Sequence, residues 1–188
     1  LNELRLTGGE LRGRRLRVPA GVRPTEGRLR EALFSIWQEE LPGARFLDLF
    51  AGAGGVGLEA VSRGAAAVVL VEGDPRTLRT LEENVATVKA ERSTRLYRMR
   101  LPAALAMLRQ REPPFDLVFV DPPYGFDEGD KLLAGLPPLL AAGAAVAFEH
   151  AARDEAPAAP AELRFEETRC YGGSCLSFYR LAASGDAD

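Results

Sequence analysis

At 188 residues the chain suits one domain of ordinary size, and 46% hydrophobic residues are enough to build a core that folds alone. No run of about 18 apolar residues occurs, which excludes a transmembrane helix, and the basic stretch 1–17 has no apolar signal core, so a cytoplasmic protein is expected. The net charge of −3 argues against a nucleic-acid partner until its distribution is read: residues 1–30 hold eight arginines and three glutamates, a net +5, which leaves −8 for the rest.

Arginine supplies every positive charge of that basic segment, and its planar fork suits phosphates and base edges better than an ammonium does. A merely solvated hairpin face would read the same way. In chain order, residues 4–18 give two short β runs, LRLTGG and GRRLRV, with Gly8-Gly9 and Gly13 offering turn geometry, hence an N-terminal hairpin. Residues 19–24 are irregular. Thr25 then precedes a helix over 28–40, in which Leu29, Ala32, Leu33, Ile36 and Trp37 recur at helical spacing and make Trp37 a core residue. After Pro42-Gly43, short apolar runs alternate with amphipathic stretches, the pattern of a parallel sheet covered on both faces. Strands are predicted at 45–50, 67–72, 94–98, 115–120 and 144–149, with helices near 55–64, 75–89, 102–111 and 129–141. Residues 151–161 form a loop, two β runs around Gly172-Gly173 close an antiparallel hairpin at the sheet edge, and 183–188 form a flexible tail. Cys170 and Cys175 are too few for a disulfide framework, have no histidine partners for zinc, and read as free thiols.

The chemistry concentrates in three stretches. In FLDLFAGAGGVGLEA, residues 46–60, an apolar strand ends in Asp48 and passes through Gly52, Gly54, Gly55 and Gly57 into a helix. Glycines let a backbone approach a ligand closely, and a helix N-terminus favours a carboxylate or phosphate. Nucleotide-binding proteins use a similar turn, but the Asp-x-Phe-Ala-Gly lead-in resembles the first motif of class I methyltransferases. In that resemblance Asp48, Phe50, Ala51, Gly52 and Gly54 hold the methionine end of S-adenosylmethionine. About 20 residues on, VVLVEGD ends a second strand in Glu72, an acid able to accept bonds from both ribose hydroxyls, while Asp74 caps the helix opening at Pro75. Glu72 does not separate this donor from NAD, because both carry a free ribose diol. FDLVFVDPPYGF, residues 115–126, decides between them. Its Asp121-Pro122-Pro123-Tyr124 tetrad looks like the catalytic loop of methyltransferases that act on amino groups of bases. An aryl amine is a poor nucleophile because its lone pair is delocalised into the ring. The Asp121 carboxylate and the Pro122 carbonyl can both accept from the NH2 and favour a tetrahedral nitrogen. The two prolines hold those acceptors in place, and Tyr124, next to Pro123, would stack on an extruded base. The proton can go to Asp121 or to water. His150, the sole histidine, reads as structural, and neither a metal site nor a hydrolase triad is suggested.

With these motifs in order, residues 4–181 resemble the RsmD family of 16S ribosomal RNA guanine-N2 methyltransferases. The resemblance runs through Gly8-Gly9, Arg12-Gly13-Arg14, Arg23-Pro24-Thr25, Arg28, Arg30-Glu31, Leu33-Phe34, DLFAGAGGVGLEA, Glu72 and DPPY to the closing hairpin. It implies an α/β, Rossmann-like class I methyltransferase fold with a seven-stranded, mostly parallel sheet, helices on both faces, and the hairpin as an extension. The domains it implies are an RNA-binding extension over 1–25, a methyltransferase domain over 26–182 and the tail. The donor would be S-adenosylmethionine, and the acceptor a guanine N2 of 16S ribosomal RNA in the small subunit or its assembly intermediate, with the protein acting as a monomer without metal or membrane. Catalysis falls to Asp121, Pro122 and Tyr124, and substrate binding to Arg12, Arg14, Arg15, Arg23, Thr25, Pro123 and Tyr124. Thr25 could equally cap the following helix. One departure stands out: Arg100-Leu101 replaces the acid or amide and small residue usual beside the donor's adenine, which leaves the Leu101 backbone N–H as the contact there. Alternatives are an adenine-N6 or cytosine-N4 methyltransferase, which the short chain disfavours, a non-catalytic ribosome assembly factor and, more remotely, a dinucleotide-dependent oxidoreductase.

Overall fold

A computed structural model describes residues 2–21, 25, 27–123 and 125–182. Arg23, Tyr124 and the 183–188 tail, for which roles were predicted, lie outside the described residues. The elements in chain order are β1 (Asn2–Arg5), β2 (Arg15–Val18), α1 (Gly27–Ile36), β3 (Arg45–Leu49), α2 (Gly55–Ser62), β4 (Ala67–Glu72), α3 (Pro75–Val88), β5 (Thr94–Arg98), α4 (Ala104–Arg111), β6 (Phe115–Val120), α5 (Gly129–Ala134), β7 (Leu140–Ala151), β8 (Leu163–Tyr171) and β9 (Ser174–Leu181).

The apolar runs become strands buried on both faces because successive side chains point to opposite sides. Phe46, Val68 and Leu70 enter one core with the hairpin, α1, α2 and α3, whereas Leu47, Val69 and Val71 enter a second core with α4 and α5. The main sheet has seven strands in the order β5-β4-β3-β6-β7-β9-β8. From β5 to β7 all pairings are parallel, and β9 runs antiparallel between β7 and β8. This is the expected Rossmann-like, mostly parallel sheet. Trp37 is a core residue as predicted, packed edge-on against Phe46 and Phe178 with ring centroids 6.0 and 6.2 Å apart.

Four local expectations are corrected. The helix predicted over 129–141 ends at Ala134; Gly135 caps it, a 3-10 turn spans Pro137–Leu139, and β7 begins at Leu140. Pro137 and Pro138 lack the backbone N–H that would continue the α-helical ladder, which explains the break. The helix predicted over 28–40 likewise stops at Ile36 and passes into turns. The hairpin's β pairing is confined to Asn2–Arg5 with Arg15–Val18, because residues 8–13 leave the ladder to dock on α2. Gly9, at φ 72°, lies so close to the Ser62 carbonyl that a Cβ there would overlap it. Finally, Cys170 and Cys175 are not free thiols: the β8–β9 register sets them directly opposite, with Cα atoms 4.0 Å apart, and they form a disulfide. Two cysteines five residues apart become bridgeable only once a tight turn folds one strand back on the other.

The hairpin is sewn onto the main layer. The Glu59 side chain, fully buried on α2, accepts from the Thr7 and Gly8 backbone N–H at 2.8 and 2.7 Å and from the Thr7 hydroxyl at 2.8 Å. Leu4, Leu6, Leu16 and Val18 complete the seam within the core that holds α1 and α2.

Candidate active site

The C-terminal ends of β3, β4 and β6 face the same edge of the sheet, where parallel α/β folds collect their ligand loops. At the end of β3, Asp48 is 1% exposed, and its Oδ2 accepts from the Gly57 N–H on α2 at 2.8 Å. The chain then turns through Phe50, at φ 65°, a left-handed conformation uncommon for a side chain of that size and often found at functional turns. Gly52, at φ 56°, donates its N–H to Glu72 Oε2 at 2.9 Å, while Glu72 Oε1 accepts from the Asp74 N–H at 2.8 Å. Glu72 thus braces both loops at the ends of β3 and β4. Asp74 caps α3 as predicted, accepting from the Arg76 and Thr77 N–H at 3.0 and 2.8 Å.

At the end of β6 the Asp121 N–H donates to the Leu49 carbonyl at 3.4 Å, which joins the two motif strands at their tips. Asp121 Oδ2 accepts from the Thr25 hydroxyl at 3.1 Å. Beyond Pro122 and Pro123, the Phe126 N–H returns to the Pro123 carbonyl at 3.1 Å, and the Phe126 ring meets Phe50 edge-on at 5.2 Å. Asp48, Phe50, Ala51, Gly52, Thr25 and Asp121 line a single cleft, bounded on the hairpin side by Leu4. Burial pushes the Asp48 carboxyl well above the usual carboxylate range; the Gly57 N–H opposes this, and the negative charges of Asp121 and Glu72 add to it.

The residues predicted to hold a donor therefore divide. Asp48, Phe50, Ala51 and Gly52 line the cleft. Gly54, left-handed at φ 85°, faces Leu81 instead, where a Cβ would sit 2.5 Å from Cδ1, so its smallness serves the approach of α3. Glu72 supports the loop from the end of β4, and Leu101 packs at the margin of the second core. Of the tetrad, Asp121 reaches the cleft, while Pro122 and Pro123 are progressively more open to solvent. Thr25 meets Asp121. Arg12, Arg14 and Arg15 are exposed on the hairpin, with Arg15 paired to Glu3 at 3.1 Å. Sequence reasoning missed Asn84. This buried amide of α3 donates to the Ala53 carbonyl at 2.8 Å and to the Arg17 carbonyl at 2.9 Å, and accepts from the Arg17 N–H at 2.9 Å. An amide on the apolar face of α3 was the available signal. His150 lies on β7 with its Nε2 2.8 Å from the Ser177 hydroxyl. Among the described residues no group of three or more His, Cys, Asp or Glu side chains is placed to hold a metal ion.

A parallel sheet with an antiparallel penultimate strand, a glycine loop after its first strand and a carboxylate after its fourth define a Rossmann-like fold of the methyltransferase type. The sequence family described as Conserved hypothetical protein 95 matches residues 4–180. The Ribosomal RNA small subunit methyltransferase D of Escherichia coli K12 is 36% identical over 190 residues, covering 99% of this chain and 94% of its own. Its Haemophilus influenzae counterpart is 35% identical over 136 residues, 70% and 69% of the two chains. Among solved structures, Escherichia coli yhhF superposes with a TM-score of 0.85 at 34% identity, covering 97% of this chain and 100% of that one. A hypothetical protein of Thermus thermophilus gives 0.80 at 35%, covering 93% and 98%. The chain belongs to the RsmD family of ribosomal RNA small subunit methyltransferases.

Proposed function

We propose that this protein transfers a methyl group from S-adenosylmethionine to the exocyclic N2 of one guanine in 16S ribosomal RNA, acting as a cytoplasmic monomer on the small subunit or its assembly intermediate. The observation that carries the reading is the convergence of Asp48, the glycine loop and Asp121 on one cleft. The residues suit such a donor. Asp48 is a buried carboxylate bordering that cleft, which an ammonium would stabilise in its charged form. Glu72 spends one bond on each oxygen, and a carboxylate has about four acceptor sites in all, so capacity for a ribose diol remains.

Asp48, Phe50, Ala51 and Gly52 would hold the methionine end, Glu72 the ribose, and the Leu101 N–H the adenine. When bound, the donor would supply a methyl group made electrophilic by its sulfonium, the S–CH3 bonding pair remaining on sulfur as a neutral thioether. Asp121 and the Pro122 carbonyl accept from the guanine NH2, so that its lone pair is directed at the methyl carbon. As the N–C bond forms, one N–H proton leaves, to Asp121 or to water. The prolines fix both acceptors before substrate arrives, which lowers the ordering cost of the transition state. Tyr124 and Pro123 would face the extruded base, and Arg12, Arg14, Arg15 and Arg23 its phosphates. The names of the curated relatives support ribosomal RNA as substrate. The test is to incubate the protein with unmodified small subunits and donor and to map the modified nucleoside by mass spectrometry. N2-methylguanosine at one site is the expected product, whereas N6-methyladenosine or no transfer would refute the proposal.

A further inference from the structure

Thr25 lies between the hairpin and α1, yet its hydroxyl bonds to Asp121 Oδ2 at 3.1 Å, 96 residues along the chain. Its main chain is held as well: the Thr25 carbonyl accepts from Arg30 Nη1 at 3.4 Å. The same guanidinium donates through Nη2 to the Arg5 carbonyl at the end of β1, at 2.8 Å, and its Nε lies 3.7 Å from Glu59 Oε2. The Arg30 and Glu59 side chains are 4% and 0% exposed, so this anchor is rigid and set in the core. A hydrogen bond to one oxygen fixes the rotation of a carboxylate plane about Cβ–Cγ, and with it the direction of the remaining lone pairs. An N–H···O contact to one of those lone pairs weakens steeply once it is misaligned.

We infer that Thr25 is a positioning residue for methyl transfer: its hydroxyl, carried on a main chain that Arg30 contacts, sets the plane of the Asp121 carboxylate that receives the guanine amine. The inference rests on the reading of Asp121 as that acceptor.

The test uses the full chain, unmodified small subunits and labelled S-adenosylmethionine, with Thr25→Val, Thr25→Ser and Asp121→Ala compared in parallel. Valine keeps the shape of threonine and removes only the hydroxyl. It is expected to lower kcat about ten- to a hundredfold, as a misoriented reacting group does. KM for the subunit and the donor dissociation constant should stay within about threefold, since the lost interaction orients the reacting group and leaves ground-state binding intact. Serine restores the hydroxyl and should return kcat to within about threefold of the parent. Parental kcat in the valine variant, a loss confined to KM, loss of donor binding, or a serine variant as slow as valine would each overturn the inference. If Asp121→Ala turns over at the parental rate, the reading of Asp121 fails; if it is inactive while Thr25→Val is fully active, only the role of Thr25 fails.

Discussion

A carboxyl group held out of water at Asp48 costs stability and, on the proposed reading, serves donor binding. In the unfolded chain Asp48 ionises in the ordinary aspartate range, but in the native protein burial holds its proton to higher pH. Between those two values the native state binds the extra proton, so stability falls as pH rises across that window and levels off above it. Asp48→Asn removes the charge and keeps an oxygen to accept from Gly57. The variant should therefore melt higher than the parent at neutral pH, with the gap closing as pH falls toward about 4; calorimetry across pH reads this. Its affinity for S-adenosylmethionine should drop about ten- to a hundredfold, the worth of a charged hydrogen bond. On the proposed reading Asp121 acts on the other reactant. Asp121→Ala should lower turnover at least about a hundredfold with donor affinity nearly unchanged, separable by single-turnover transfer and titration calorimetry. Both acids were legible in the sequence because each ends an apolar strand inside a short, ordered motif. Thr25 was legible only as a candidate with two roles, since its partner lies 96 residues away.

Among the elements, the hairpin combines a docked inner face with an exposed arginine face. Its docking depends on Glu59, which gathers Thr7, Gly8 and Arg63, with Arg30 alongside. Glu59→Ala would leave those donors buried without their acceptor and should destabilise the protein by about 3–5 kcal/mol, measured by urea unfolding. The arginine face predicts a different effect. Replacing Arg12, Arg14 and Arg15 by alanine should weaken subunit binding and reduce the slope of log affinity against log salt by about 2, as for three lost phosphate contacts. An unchanged slope would mark the face as merely solvated. The positions of β3, β4 and β6 were readable because buried parallel strands are largely continuous apolar runs, whereas the end of α5 was misjudged because apolar spacing outweighed the two prolines.

For the whole molecule, the arrangement of loops around one sheet edge predicts selectivity for the adenosyl donor. S-adenosylmethionine at about a hundred times its dissociation constant should raise the melting temperature by about 5–10 °C, and NAD should not. The sequence by itself determined the glycine loop, the acid-ending strands and their order, because strand period, turn chemistry and motif spacing are local and need no partner. Tertiary structure alone decided that β9 inserts between β7 and β8, that Cys170 meets Cys175, that Glu59 and Asn84 anchor the hairpin, and that Thr25 reaches Asp121. Each of these depends on which distant surfaces bury one another, a choice made by packing and the satisfaction of buried polar groups across the entire chain.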